Sequence, residues 1–107
     1  MSDTFKTKLG TTKAGERTRI WIEGARLAAV GFTVGKRFKR EWSDKTLTLS
    51  VCTESQFNEL TRAERGTVSG KGDKPIIDVT GAQVAETFSG SHAVVTYSAR
   101  LITIRNA

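Results

Sequence analysis

An internal echo constrains this chain more than any other feature. The stretch "GARLAAVGF" at residues 24–32 returns as "GAQVAETF" at residues 81–88. At an offset of 57, Ile20 aligns with Ile77, Ile22 with Val79, Gly24-Ala25 with Gly81-Ala82, Leu27 with Val84 and Ala28 with Ala85. Two residues drop out near the end of this segment, so Phe32 meets Phe88 and Gly35 meets Gly90. Beyond the gap the offset is 55. Trp42 then meets Tyr97, Lys45 meets Arg100, and Leu47-Thr48-Leu49 meets Ile102-Thr103-Ile104. The apolar positions keep phase on both sides of the gap, so the chain reads as two copies of one unit. A unit of about 40 residues cannot bury a full core, and two must share one.

Periodicity gives the shape of the unit. "RTRIWI" alternates, with Ile20 and Ile22 on one side and Arg19 and Trp21 on the other, which predicts a strand. Leu27, Ala28 and Val30 approach helical spacing between Gly24 and Gly31, and glycine suits the left-handed end of a short helix. Val34, Phe38 and Trp42 predict a second strand, "SDK" at 43–45 a turn, and Leu47, Leu49 and Val51 a third strand. Residues 53–65 are polar and read as a connector or a short helix around Phe57 and Leu60, followed by the glycine-rich "GTVSGKGDK", which reads as a strand end plus a loop. Pro75 is acceptable at the start of the strand "PIIDV".

Charge is unevenly placed. The 107 residues carry a formal charge of +6. Residues 1–53 hold eleven Lys/Arg against five Asp/Glu, and residues 54–107 hold six of each. Clustered cations gain by releasing counterions from phosphates, so a nucleic-acid partner is expected for the first half. The neutral second half is free to complete the fold or to bind a protein. No apolar run nears the ~20 residues of a membrane span, and "MSDTFKTKLG" has no apolar signal-peptide region. Cys52, the single cysteine, cannot form an internal disulfide. These features together predict a cytoplasmic protein that does not contact membranes, of the kind bacteria and phages encode.

The run "GERTRIWIEGARLAAVGFTVGKRFKREWSDKTLTLSV" resembles the swapped-hairpin β-barrel module of AbrB-like regulators, MazE-like antitoxins and SymE-type toxins, with "RIWIEGARLAAVGFTVGKRF" closest to the SymE-like version. "GDKPIIDVTGAQVAETFSGSHAVVTYSARLITI" resembles a degenerate second copy. The resemblance covers about residues 15–52 and 72–105, with residues 53–71 as connector. It implies a single domain, mostly β with short helices: a pseudo-two-fold swapped-hairpin (AbrB-like) β-barrel made from two strand–helix–hairpin repeats. The family barrel normally forms between two chains; here one chain carries both units and is expected to be a monomer. Closure would also hide the strand edges.

The same resemblance places nucleic-acid contacts around the strand that leads into the helix, at Lys13, Arg17 and Arg19. Arginine there can fork onto phosphate or guanine. A second basic cluster, Lys36, Arg37, Lys39 and Arg40, surrounds Phe38; alternation puts Lys36 and Arg40 on the Phe38 side and Arg37 and Lys39 opposite. Trp21, out of phase with its isoleucines, is either a stacking platform for a base or a packing residue. No catalytic, cofactor or metal site is expected. His92 and Cys52 have no spacing that promises a dyad, one Cys and one His make no ligand set, and "GKGDK" is not a phosphate-cradling loop. The function expected is a small nucleic-acid-binding regulator, with DNA favoured over RNA. A SymE-like RNA-acting toxin and a phage or mobile-element inhibitor of a host protein complex are the alternatives.

Overall fold

Alternating apolar residues commit a segment to a strand only when another strand accepts its edge, and half of the pairings here run between the two halves of the chain. A computed structural model describes residues 3–11, 18–80, 82–88 and 90–106. Its strands are β1 (Asp3–Lys8), β2 (Gly10–Thr11), β3 (Thr18–Glu23), β4 (Arg37–Ser43), β5 (Thr46–Val51), β6 (Arg65–Thr67), β7 (Ser69–Lys71), β8 (Lys74–Val79), β9 (His92–Ser98) and β10 (Leu101–Asn106). Three short helices, α1 (Ala25–Ala29), α2 (Glu54–Glu59) and α3 (Ala82–Thr87), and a 3₁₀ turn at Arg62–Glu64 complete the mostly β fold.

The strands form a six-stranded sheet in the order β1-β9-β10-β5-β4-β6 and a four-stranded sheet in the order β2-β3-β8-β7. These sheets are not closed into a barrel. Two segments join them instead. Residues 3–11 pair with β9 in the larger sheet as β1 and with β3 in the smaller as β2; residues 65–71 pair with β4 as β6 and with β8 as β7. Neither joining pair of strands stands out in the sequence, and β6 and β7 lie inside the expected connector.

The registers treat the halves alike. In β3–β8, Ile20 faces Val79 and Ile22 faces Ile77; in β5–β10, Leu47 faces Ile104 and Leu49 faces Ile102. Each position therefore meets the repeat mate of its neighbour, as a twofold axis through Trp21/Asp78 and Thr48/Thr103 requires. The joining segments follow the same rule. Leu9 N–H donates to the Ser91 carbonyl (2.9 Å), and Val68 N–H donates to the carbonyl of Lys36, which aligns with Ser91 (2.9 Å).

The core lies between the sheets and draws on both halves: Ile20, Leu27, Phe32, Leu47 and Leu49 from the first, and Ile77, Val84, Phe88, Val95, Ile102 and Ile104 from the second, all at most 2% exposed. Phe32 and Phe88, the aligned aromatics that follow α1 and α3, are both sealed. The radius of gyration, 13.1 Å, is that of a compact body of this length. Among the described residues no helix is long and apolar enough to cross a membrane.

Candidate nucleic-acid interface

The positions expected to contact nucleic acid fall on three separate surfaces. Lys13 and Arg17 lie outside the described residues. Arg19 is on the outer face of β3, where its guanidinium forks onto Asp78 of β8, with Nε and Nη2 donating to the two carboxylate oxygens at 2.8 and 2.7 Å. That ion pair strengthens the hold of Arg19 on its proton. The same guanidinium lies 4.6 Å from the Trp21 ring centroid. Trp21 points outward, 38% exposed, with Arg19 laid over it. Arg19 is thus engaged across the pseudo-twofold axis and lies over Trp21 of its own strand, and a phosphate would have to compete with Asp78 for the fork.

The β4 cluster divides by strand alternation. Lys36 is exposed in the loop before β4. Arg37 and Lys39 share the outer face of the large sheet and meet the α2 region. Arg37 is 4.0 Å from Glu54, with its guanidinium 4.6 Å from the Phe57 ring; Lys39 is 3.7 Å from Glu41 and 4.0 Å from Glu64. Arg40 faces the other way, beside Trp42, and its Nε is buried without a hydrogen-bond partner. The cluster is therefore divided between the two faces of β4. Its outer members are countered by carboxylates from α2 and the 3₁₀ turn, which sequence spacing does not reveal.

Local chemistry holds those carboxylates in place. Thr53 caps α2 in a reciprocal box with Gln56. Glu64 accepts from the N–H and the hydroxyl of Thr61, both at 2.9 Å, and these bonds, with Lys39 a smaller influence, hold its carboxyl below the ordinary glutamate range. Burial pushes the Cys52 thiol up, against the pull of Arg37, and Cys52 is half-buried at the end of β5. Tyr97 is likewise raised by burial, against the pull of Arg26. Among the described residues no group of three or more His, Cys, Asp or Glu is arranged to hold a metal.

A different surface gathers cations without carboxylates: the outer face of β1, β9, β10 and β5. In-register neighbours share a face, so the ladder defines its rows. One row is Lys6, Val94, Arg105 and Thr46; the next is Thr4, Thr96, Thr103 and Thr48; Lys8 and His92 stand at one end. Ser98, Leu101 and Ser50 form a further row. Lys6, Lys8, His92 and Arg105 are exposed. Among the described residues no carboxylate stands on this face from β1 to β5; the first is Glu41 on β4, opposite Thr48. Sequence reading missed Lys6, Lys8 and Arg105, although "DTFKTK" and "LITIRN" both alternate and put these cations out of phase with the apolar residues. Comparison with protein-family models, curated proteins and solved structures gives no significant match to this chain.

Proposed function

We propose that the chain is a nucleic-acid-binding regulator built from two copies of a swapped-hairpin strand–helix–hairpin unit, and that it works by binding rather than catalysis. The observation that carries this reading is the outer face of β1, β9, β10 and β5. There Lys6, Lys8 and Arg105 stand among threonine and serine hydroxyls with no carboxylate on the face among the described residues. Cations supply the counterion-release term, and hydroxyls donate to phosphate oxygens and set register without reading sequence. The two-copy part of the proposal draws on the twofold registers of β3–β8 and β5–β10 and on the two joining segments. DNA is placed ahead of RNA on the family resemblance.

The test is fluorescence polarisation of the purified protein with random duplex DNA and with single-stranded RNA across a salt series. The expected result is duplex binding whose affinity falls steeply with salt. The triple variant Lys6→Ala/Lys8→Ala/Arg105→Ala should bind more weakly and flatten the log–log salt slope by about two to three, since each lost phosphate contact removes about 0.9. Arg37→Ala/Lys39→Ala, whose cations already have carboxylate partners, should change the slope by less. No binding to either nucleic acid at low salt overturns the proposal. Binding to RNA alone moves it to an RNA-acting protein.

A further inference from the structure

The corner where β1 gives way to β2 holds a cross-strand pair that the cationic face leaves unassigned. Lys8, the last residue of β1, stands opposite His92, the first of β9. One step further the Leu9 N–H donates to the Ser91 carbonyl at 2.9 Å, so the backbone fixes the two residues side by side. His92 is the single histidine of the chain. It is exposed on the outer face, in phase with Val94, Thr96 and Ser98 of β9. Its Nδ1 lies 2.8 Å from the Ser91 hydroxyl oxygen. A hydroxyl serves either charge state of such a ring, because it donates to the neutral imidazole and accepts from the imidazolium N–H. Ser91 can therefore hold the ring in one orientation through its titration, leaving Nε2 as the donor for a second partner.

The charges that share the strands' outer face with this ring are cations. From β1 they are Lys8, directly opposite, and Lys6, two residues further along the same side. From β10 the charge is Arg105, in the row of Lys6 and Val94. The β4–β5 turn lies at the same end of the sheet, beyond Thr46, and brings Asp44 and Lys45, one charge of each sign. Among the described residues no carboxylate of β1, β9, β10 or β5 stands on this face. The other copy solves the matching position differently. Arg37 aligns with His92, and Thr67 stands opposite Arg37 where Lys8 stands opposite His92. Arg37 is a permanent cation with Glu54 4.0 Å away. His92 is a conditional cation with a lysine opposite it. Like charges directly opposite in an antiparallel pair are unfavourable, so the protonated ring beside Lys8 calls for an anion between them.

We infer that His92 is a phosphate contact of the cationic face that engages as the imidazolium, beside Lys8, so that nucleic acid takes up a proton from solvent as it binds. This rests on the reading of that face as a nucleic-acid interface, and adds to it a residue and a condition. The neutral ring carries one N–H. On binding it gains a second, so that Nδ1–H donates to the Ser91 oxygen and Nε2–H to a phosphate oxygen, while the Lys8 ammonium donates to the same phosphate group. An imidazole changes charge between about pH 5 and 8, a range over which lysine and arginine stay charged. The linkage is reciprocal: a polyanion that prefers the charged ring holds its proton to higher pH, and falling pH tightens the polyanion by the same factor.

Because the chain has one histidine, its ring gives one set of NMR signals. These are followed in the full chain from about pH 8 to about pH 5, the range of imidazole titration, alone and with a short random duplex DNA at low salt. Duplex affinity is measured by fluorescence polarisation across a salt series at both ends of that range. The duplex is expected to move the midpoint of the ring's titration to higher pH, and added salt to bring it back. The log–log salt slope should be steeper by about 0.9 at the acid end, as one more phosphate contact requires. His92→Gln should lose this pH-dependent part of the slope, and His92→Lys should keep the steeper slope at both ends. The side chain is exposed, so both variants should fold. A midpoint unmoved by saturating duplex, or the same pH dependence in His92→Gln as in the parent, would overturn the inference and leave the nucleic-acid reading standing. Absence of binding to duplex or to single-stranded RNA at low salt, at either end of the range, would overturn that reading and this inference with it.

Discussion

Gly66 shows how one missing atom sets the packing of a seam. It stands opposite Phe38 in the β4–β6 ladder, and a Cβ at this position would sit inside the Phe38 ring. Phe38 is 3% exposed and lies edge-on to Phe32 at 5.8 Å, so the ring has nowhere to go without disturbing a sealed aromatic. Gly66→Ala should therefore destabilise the fold by about 1–3 kcal/mol, the usual cost of overpacking, measured by urea unfolding. Glu64 gives a pH test at the same scale. Its folded-state carboxyl titrates below the ordinary range because Thr61 donates to the ionised form. Its contribution is thus present above the unfolded-state titration and disappears as pH falls through the lowered folded value. Glu64→Gln should shallow the acid limb of the stability–pH profile and leave the rest of that profile parallel to the parent's.

At the level of elements, the two hairpins carry their own strain. The β4–β5 turn uses Asp44 and Lys45 at φ 48° and 60°, and the aligned β9–β10 turn puts Arg100 at φ 61°. Two successive positive φ values are those of the turn whose twist suits a hairpin, and glycine is its preferred second residue. Lys45→Gly should stabilise the protein by a few tenths to about 1 kcal/mol, read from the unfolding midpoint, with no change in the β4–β5 register. These hairpins, with β3, β8 and the short α1, were legible in the sequence because each is a dense apolar alternation or sits between glycines. β1, β2, β6 and β7 were not. They are two to six residues long and bury little of their own, and their partners lie far along the chain, as in Lys8 opposite His92. The partners of the expected interface residues were not legible for the same physical reason. Asp78, which claims the Arg19 fork, is 59 residues away, and alternation alone does not tell which outward cations meet carboxylates from another element.

Across the whole molecule, the pairings make each half the other's template. β3 has β8 as its long partner, β1 has β9, and β5 has β10. Within residues 1–53 the larger local pairing is the single hairpin β4–β5, and a lone hairpin is marginal in water. Fragments 1–53 and 54–107 should therefore each lack cooperative unfolding alone, and an equimolar mixture should recover it as a one-to-one complex, by circular dichroism and light scattering. A homodimer of either fragment is the competing outcome, since the strands that pair about the axis, β3 with β8 and β5 with β10, are repeat mates of each other. The register argues against it for the first half. Pairing β3 with its own copy about the same axis would set Trp21 against Trp21, where Trp21 now faces Asp78, and would take from Arg19 the carboxylate it forks onto. For the second half, the same operation would bring Asp78 against Asp78 with no arginine between them. Preference for the mixed complex would show that the copies have diverged into complementary halves, and equal stability of the homodimers would show that the Arg19–Asp78 pair does not select the partner.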